Sequence, residues 1–205
     1  MFSVTYPHDP EAAARMVGAA LERGGVAVIP TDTVYGLVCL PSSYEAVARV
    51  FELKQRPPEV RLPVIVGSTE SLAALGISLD DRARRLAGAF WPGALTIAFG
   101  VRDPEVEWLV GRDEVGVRIP DSALTTALAE LVGPFLMTSA NAHGGGTQAR
   151  LLAVLEDLAG QPDVAVDGGP LDVVSSTLVN LNLPEPRIER EGAIPAAEVL
   201  EVLGG

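Results

Sequence analysis

Apolar residues recur along the chain in two patterns, one typical of helices and one typical of strands. Segments with apolar positions every three or four residues predict amphipathic helices, and short apolar runs between turn residues predict buried strands. The predicted helices begin near Asp9, Ser42, Ser68, Asp80, Ser122, Thr147 and Pro195. The predicted strands span 26–29, 34–40, 62–66, 95–99, 115–119, 135–138, 164–166, 177–180 and 187–189. Because strands and helices interleave, the pattern predicts a layered α/β fold built on a mixed sheet.

Polar side chains ahead of three predicted helices indicate where those helices begin. Asp9 stands directly before a proline and a glutamate, which together form a strong N-terminal signal. Ser42 and Glu45 have the spacing of a capping box. Thr147 follows a run of glycines and is expected to cap the leucine-rich helix after it. These three positions therefore set the expected helix boundaries.

Composition narrows the class of protein. The 205 residues are 48% hydrophobic, which argues against disorder, and they are expected to form a single domain over 1–205. The chain carries 15 Lys and Arg residues against 27 Asp and Glu residues, a net charge of -12. Tight direct nucleic-acid binding is not expected, since it depends on clustered cations. Lys54 is the only lysine, and it lies in the one positive stretch, residues 49–61.

Several function classes lack their sequence signals. The single cysteine, Cys39, lies in an apolar strand and is expected to be a buried structural thiol. No P-loop or dinucleotide fingerprint is present, and the HGGG segment at 143–146 has no G-x-S-x-G nucleophile elbow to accompany it. The N-terminus lacks the pattern of a signal peptide, and no apolar run approaches a membrane span, so a cytoplasmic location is expected.

Four polar segments are expected at the ends of strands, where open α/β sheets bind ligands. They are 30–36, 54–56, 138–141 and 175–177, with Arg118 and Arg190 as additional cations. Each segment also has a structural interpretation. The cations of 54–56 can complement the helix dipole from the last helical turn. The polar residues of 30–36 can form a capped turn between two strands, and Arg118 can form a surface ion pair.

The order of these segments resembles a known family. PTDTVYG at 30–36, K-x-R at 54–56, WPGALT at 91–96, VGVRIP at 115–120, TSAN at 138–141 and SST at 175–177 are similar to the motifs of YrdC-like L-threonylcarbamoyl-AMP synthases. The resemblance implies a twisted mixed β-sheet flanked by helices, with a concave, positively charged pocket. It also implies an enzyme that converts L-threonine, bicarbonate and ATP, with Mg²⁺, into threonylcarbamoyl-AMP and pyrophosphate.

The resemblance further implies residue roles and partners. The positions that match threonine-binding ones are Thr33, Arg118, Ser139 and Ser176. The positions that match nucleotide-facing ones are Lys54, Arg56, Asn141 and Arg190, of which Lys54 and Arg56 are the expected catalytic residues. No side chain is assigned as a metal ligand. The product is expected to pass to downstream tRNA threonylcarbamoyl transferase proteins, which form threonylcarbamoyladenosine in tRNA.

Two departures from the family pattern leave alternatives open. Shortly after K-x-R the family has a polar residue and then Pro-Leu, whereas this chain has VRLP at 60–63, in which Arg61 either replaces a lost contact or points to solvent. His143 follows the TSAN segment where the family has Ser-Gly; it either contacts phosphate or lies exposed in the loop, and the exposed position is favoured. The alternative functions are an RNA-binding module of the same fold and a nucleotide-binding paralogue that acts on another acceptor.

Overall fold

Ten strands form one mixed sheet in the computed structural model, which describes residues 3–5, 9–57, 61–101 and 106–204. In chain order the strands are β1 Ser3–Thr5, β2 Ala27–Ile29, β3 Gly36–Cys39, β4 Val64–Ile65, β5 Leu95–Gly100, β6 Glu114–Arg118, β7 Phe135–Ser139, β8 Val164–Val166, β9 Thr177–Asn180 and β10 Arg187–Arg190. Across the sheet the order is β1-β8-β2-β3-β7-β4-β6-β5-β9-β10. Parallel and antiparallel pairs are both present, as expected for a mixed sheet.

Helices lie on both faces of this sheet. They are α1 Pro10–Glu22, α2 Tyr44–Lys54, α3 Asp81–Phe90, α4 Ala123–Val132, α5 Leu151–Asp157 and α6 Ala196–Gly204. 3₁₀ segments occur at Thr69–Leu75 and Glu107–Leu109, with seven and three residues. In the part of the chain that the structure describes, no helix is both long enough and apolar enough to serve as a membrane span. The predicted α/β layering is confirmed.

The helix caps agree with the sequence at some positions and differ at others. The Asp9 carboxylate accepts hydrogen bonds from the backbone N–H groups of Glu11 and Ala12, so its predicted capping role is confirmed. The capping box at Ser42 is wrong, because the neighbouring Ser43 accepts the bond from the N–H of Ala46 at 3.2 Å.

Thr147 is not a helix cap either. Its hydroxyl donates to the carbonyl oxygen of Val173 at 2.7 Å, and α5 begins only at Leu151. Arg150 precedes that helix without a capping side-chain bond. The Thr147 hydroxyl thus bonds to a residue 26 positions away in the sequence and not to a backbone N–H of α5.

The core is divided between the two faces of the sheet. On one face α1 and α4 pack together against part of the sheet, burying residues such as Val17, Leu128 and Phe135. Helices α2, α3, α5 and α6 contribute to a larger core on the opposite face. Cys39 lies in that core with no solvent exposure, and burial raises the pKa of its thiol to about 12. The predicted buried structural thiol is confirmed.

Strand β6 shows how the remaining sheet face becomes a site. Its residues Val115 and Val117 point into the larger core. Because successive side chains on a strand point to opposite faces, Glu114, Gly116 and Arg118 point the other way. Helices α1 and α4 do not extend over this part of the sheet, so polar side chains here border a cavity.

Candidate active site

A cavity of about 350 Å³ lies on the sheet face that α1 and α4 leave uncovered. Its walls come from the turn after β2 and from seven strands, so residues far apart in sequence meet there. Six of the eight predicted site residues line it, namely Thr33, Arg56, Arg118, Ser139, Ser176 and Arg190. Four arginines and two glutamates lie along the walls, which makes the cavity positive in a chain of net charge -12.

A larger groove of about 800 Å³ is lined by the N-terminal part of α1 and by α4 along most of its length. Its charged lining residues are Asp9, Glu11, Arg15, Asp121 and Glu130. Four carboxylates against one guanidinium repel anions, and none of the predicted site residues lies there. The smaller, positive cavity is therefore the candidate active site.

Arg118 is the most deeply placed cation of the cavity, with only 4% of the residue exposed. Its Nη2 lies 2.6 Å from the Asp32 carboxylate, and its Nη1 donates to the Thr33 hydroxyl at 2.9 Å. Its Nε donates to the Gly93 carbonyl oxygen at 2.9 Å. A guanidinium has five N–H donors, so two remain for a ligand. The ion pair is buried rather than at the surface.

The turn between β2 and β3 holds the partners of Arg118 in place. The Thr31 hydroxyl donates to the carbonyl oxygen of Val34 at 2.7 Å and lies 3.1 Å from the Thr33 hydroxyl. Asp32 also accepts a bond from the backbone N–H of Asp121 at 3.1 Å. The PTDTVYG segment therefore folds as a rigid polar turn that presents one carboxylate and one hydroxyl to Arg118.

On the opposite wall, Ser176 lies between two polar partners. Its hydroxyl is 2.9 Å from the Thr96 hydroxyl and accepts a bond from Arg190 Nη2 at 3.1 Å. Arg190 Nε donates to the Ser176 carbonyl oxygen at 3.0 Å. A Cβ at Gly192 would lie 2.2 Å from the Ser175 carbonyl oxygen, so only glycine allows this close packing of the two segments.

Arg56 supplies a cation between these walls. Its Nη1 donates to the Thr138 hydroxyl at 3.1 Å, next to Ser139 on the same strand. Its Nε is buried without a hydrogen-bond partner among the described residues. Burial and the nearby charge of Arg190 both lower the pKa of Arg56. Two cations that repel each other in a cavity favour an anion between them.

Lys54 and Asn141 lie behind the cavity wall instead of along it. Both are buried, Lys54 at 2% exposure and Asn141 at 6%, whereas the sequence predicts exposed loop positions. The Lys54 ammonium donates to the carbonyl oxygens of Ser139 and Asn141. The Asn141 amide donates to the carbonyl oxygens of Ala142 and Gly145 at 2.9 and 2.7 Å. Both residues shape the loop after β7.

Comparison with known proteins identifies the family. Residues 19–192 match the Sua5/YciO/YrdC family, which is described as "Telomere recombination". The chain belongs to this family. A protein of Mycobacterium leprae is 35% identical over 202 residues, which cover 96% of this chain and 91% of that protein. The threonylcarbamoyl-AMP synthase of Pyrococcus abyssi is 33% identical over 193 residues, which cover 93% of this chain and 57% of that longer protein.

Solved structures of the Sua5/YciO/YrdC family have the same fold. The crystal structure of P. abyssi Sua5 complexed with L-threonine superposes with a TM-score of 0.88 at 31% identity, covering 100% of this chain and 61% of that one. Escherichia coli YciO superposes with a TM-score of 0.84 at 25% identity, covering 97% and 98% of the two chains. The twisted mixed sheet flanked by helices is thus the fold of this family.

Two charged cavity residues of this Sua5/YciO/YrdC chain were missed by the sequence analysis. Glu114 and Glu189 line the cavity, and the Asn180 amide donates to both carboxylates, at 3.0 and 2.9 Å. Strand alternation offered a signal for Glu114, since it lies four positions before Arg118 on the same face of β6. Arg61 also lines the cavity, whereas His143 is exposed in its loop, as favoured from the sequence.

The described residues do not form a protein-only metal site. Among residues 3–5, 9–57, 61–101 and 106–204, no group of three or more His, Cys, Asp or Glu side chains could hold an ion. Magnesium in nucleotide-using enzymes is commonly bound by one or two carboxylates together with substrate phosphates. The donor set of this cavity therefore does not fit a resident ion bound by side chains alone.

Proposed function

We propose that this protein synthesises L-threonylcarbamoyl-AMP from L-threonine, bicarbonate and ATP, releasing pyrophosphate for the formation of threonylcarbamoyladenosine in tRNA. The observation that carries the proposal is Arg118, a buried guanidinium with two uncommitted N–H donors beside the hydroxyl of Thr33. A carboxylate matches the planar geometry of a guanidinium. The names of the relatives and the threonine complex of P. abyssi Sua5 support the same substrate.

The cavity suits an amino acid at one end. The threonine carboxylate is placed on Arg118, and the hydroxyls of Thr33, Ser139 and Ser176 are within the same cavity to bind its polar groups. On the floor of the cavity the Met137 side chain packs against Gly36, where an added Cβ would lie 2.6 Å from the Met137 sulfur. This arrangement orients the threonine amine toward the part of the cavity that contains Arg56 and Arg190.

The proposed reaction has two steps. The threonine amine condenses with bicarbonate, which forms a carbamate and releases water. A carbamate oxygen then attacks the α-phosphorus of ATP, and the bond from that phosphorus to the bridging oxygen breaks, so that pyrophosphate leaves. The protein supplies position and charge rather than a nucleophile. Arg56 and Arg190 are the proposed phosphate contacts because their guanidiniums face this cavity.

Lys54 and Asn141, which match nucleotide-facing positions by the resemblance, are proposed to act from behind the cavity wall and not by contact with a phosphate. Their side chains set the course of the loop after β7. Mg²⁺ is proposed to enter with the ATP phosphates and to offset their charge. A cytoplasmic location, a single domain over 1–205 and downstream tRNA threonylcarbamoyl transferase proteins as partners stay predictions.

The test is pyrophosphate release by the purified protein with ATP and Mg²⁺. Release should require both L-threonine and bicarbonate, and mass spectrometry should detect threonylcarbamoyl-AMP. Absence of release together with absence of threonine binding would contradict the proposal.

The same assay tests whether the protein is a paralogue that uses another amino acid in place of threonine. A panel of amino acids replaces threonine at equal concentration. Release with a different amino acid, and none with threonine, would retain the reaction class and reassign the substrate.

A further inference from the structure

Lys54 uses its whole hydrogen-bonding capacity inside the protein. Its ammonium donates to the Ser139 carbonyl oxygen, to the Asn141 carbonyl oxygen at 2.6 Å and to Asn141 Oδ1 at 3.3 Å. An ammonium has three N–H donors and no acceptor. No donor is left for a phosphate, and the residue, at 2% exposure, is not part of the cavity lining.

The two carbonyl oxygens belong to the loop that carries Ser139 into the cavity. This loop is also held by its own backbone, since the N–H of Ala140 donates to the Tyr35 carbonyl oxygen at 2.7 Å. The N–H of His143 donates to the carbonyl oxygen of Lys54 itself at 2.7 Å. Lys54 thus contacts the loop through both its side chain and its backbone, on both sides of residue 140.

Charged groups around Lys54 do not explain its burial. Arg56, two residues on, repels the ammonium, while Asp157 of α5 attracts it more weakly than Arg56 repels it. The Asp157 carboxylate is itself engaged with the backbone N–H of Ala142 at 2.8 Å. Burial together with Arg56 lowers the pKa of Lys54 to about 8. The partners that remain are the oxygens of the loop, which indicates that holding the loop is what the charge does.

We propose that Lys54 is a positioning residue, which fixes Ser139 and Asn141 through their carbonyl oxygens and so shapes the threonine subsite. It acts on threonine binding before any nucleotide arrives. The inference rests on the proposed function, because threonine is the ligand whose subsite contains Ser139. It assigns Lys54 a different role from a direct phosphate contact.

The test is calorimetric titration of L-threonine into the full chain in the absence of nucleotide. Lys54→Met, which retains the length of the stem without N–H donors, should weaken threonine binding about tenfold. Arg49→Met is the matched control: it removes a cation from the same helix, but its partners Asp163 and Gln161 lie away from the cavity. The control should bind threonine within twofold of the wild type.

The outcomes separate the two proposals. Wild-type protein that binds no threonine contradicts the proposed function. Wild-type binding with a loss below threefold in Lys54→Met overturns the positioning role, whereas a larger loss supports it. If Lys54→Met does not fold in urea-free buffer, Lys54→Gln decides by the same threshold, because its amide nitrogen lies one bond nearer the backbone than the lysine ammonium and has two N–H donors instead of three. Lys54→Gln should then bind more weakly than the wild type by at least threefold.

Discussion

Arg118 couples the stability of the protein to its ligand site. Its guanidinium and the Asp32 carboxylate are 2.6 Å apart, and their side chains are only 5% and 13% exposed. Removing one partner of a buried ion pair leaves an uncompensated charge. The same guanidinium has two N–H donors that form no hydrogen bond among the described residues. Substitution at this position therefore affects folding and binding through different atoms, and the two effects can be separated.

Arg118→Met should lower the free energy of unfolding by about 3–5 kcal/mol and abolish measurable threonine binding. The double variant Asp32→Asn/Arg118→Met should recover part of that stability, because the carboxylate no longer lacks a partner, and should still not bind threonine. Urea unfolding and calorimetric titration measure the two quantities. Threonine binding by the double variant at wild-type affinity would contradict the assigned role of Arg118.

Lys54 should change how the free energy of unfolding depends on pH. Burial lowers its pKa from about 10.5 to about 8 in the folded chain. Between these values the unfolded chain binds more protons than the folded chain, so the contribution of Lys54 to the free energy of unfolding rises with pH. The penalty for the buried charge is fully present below pH 8.

The measurement is urea unfolding at pH 8 and pH 10 for the wild type and Lys54→Met. Wild-type stability should rise relative to that of the variant between these two pH values. Tyr35, whose pKa burial raises to about 12, titrates in both proteins and cancels in the difference. A difference that does not change with pH would show that Lys54 titrates normally.

Two adjacent serines, Ser42 and Ser43, precede α2, and substituting each in turn shows which one caps the helix. Ser43→Ala removes the acceptor for the N–H of Ala46 and should lower the free energy of unfolding by about 1 kcal/mol. Ser42→Ala is the matched control, since Ser42 is exposed beside it, and should change stability by less than about 0.5 kcal/mol. Thermal unfolding distinguishes them. The reverse order of effects would restore the capping box at Ser42.

Element positions were predicted well where the pattern is local. The spacing of apolar residues and the capping residues together located α1, α3 and α4. Asp9, Asp80 and Ser122 each cap a helix through a hydrogen bond to a backbone N–H within three residues. Long-range contacts set the elements that were missed or misplaced. Strand β1 has three residues and pairs only with β8, and the hydroxyl of Thr147 bonds Val173. Neither contact leaves a signal in the local sequence.

The sequence predicted which residues line the cavity better than it predicted how those residues are arranged. The resemblance supplied the residues, and six of the eight line one cavity. It did not indicate that Lys54 and Asn141 are buried, because burial at the end of α2 depends on the loop after β7 packing over it. Charge alone favoured an exposed lysine in a last helical turn.

At the scale of the whole molecule, net charge determines which partners approach. A surface with a net charge of -12 repels a polyanion, while a cavity with four arginines accepts a small anion that fits inside. We expect no detectable shift of unmodified tRNA in a gel assay at about 0.15 M salt, where charges are screened beyond about 8 Å. ATP should still bind under the same conditions in a titration.

The contrary result would be tRNA binding that weakens steeply as salt is added and is indifferent to ATP. Such behaviour is typical of phosphate-backbone contacts. It would favour the RNA-binding alternative. Single-stranded RNA recognition also uses aromatic platforms, and aromatic residues make up 5% of this chain.

The alternation of side chains along β6 affects which of its positions can change during evolution. Its valines face the core, and the alternate residues Glu114, Gly116 and Arg118 face the other side of the sheet, where Glu114 and Arg118 line the cavity. A substitution at Gly116 leaves the core packing of the two valines unchanged. An added Cβ there would meet Thr96 Cγ2 at 3.4 Å, an ordinary contact. Position 116 can therefore change without altering the core side of β6, whereas a change at Arg118 also removes the partner of the buried Asp32 carboxylate and so alters stability and ligand binding together.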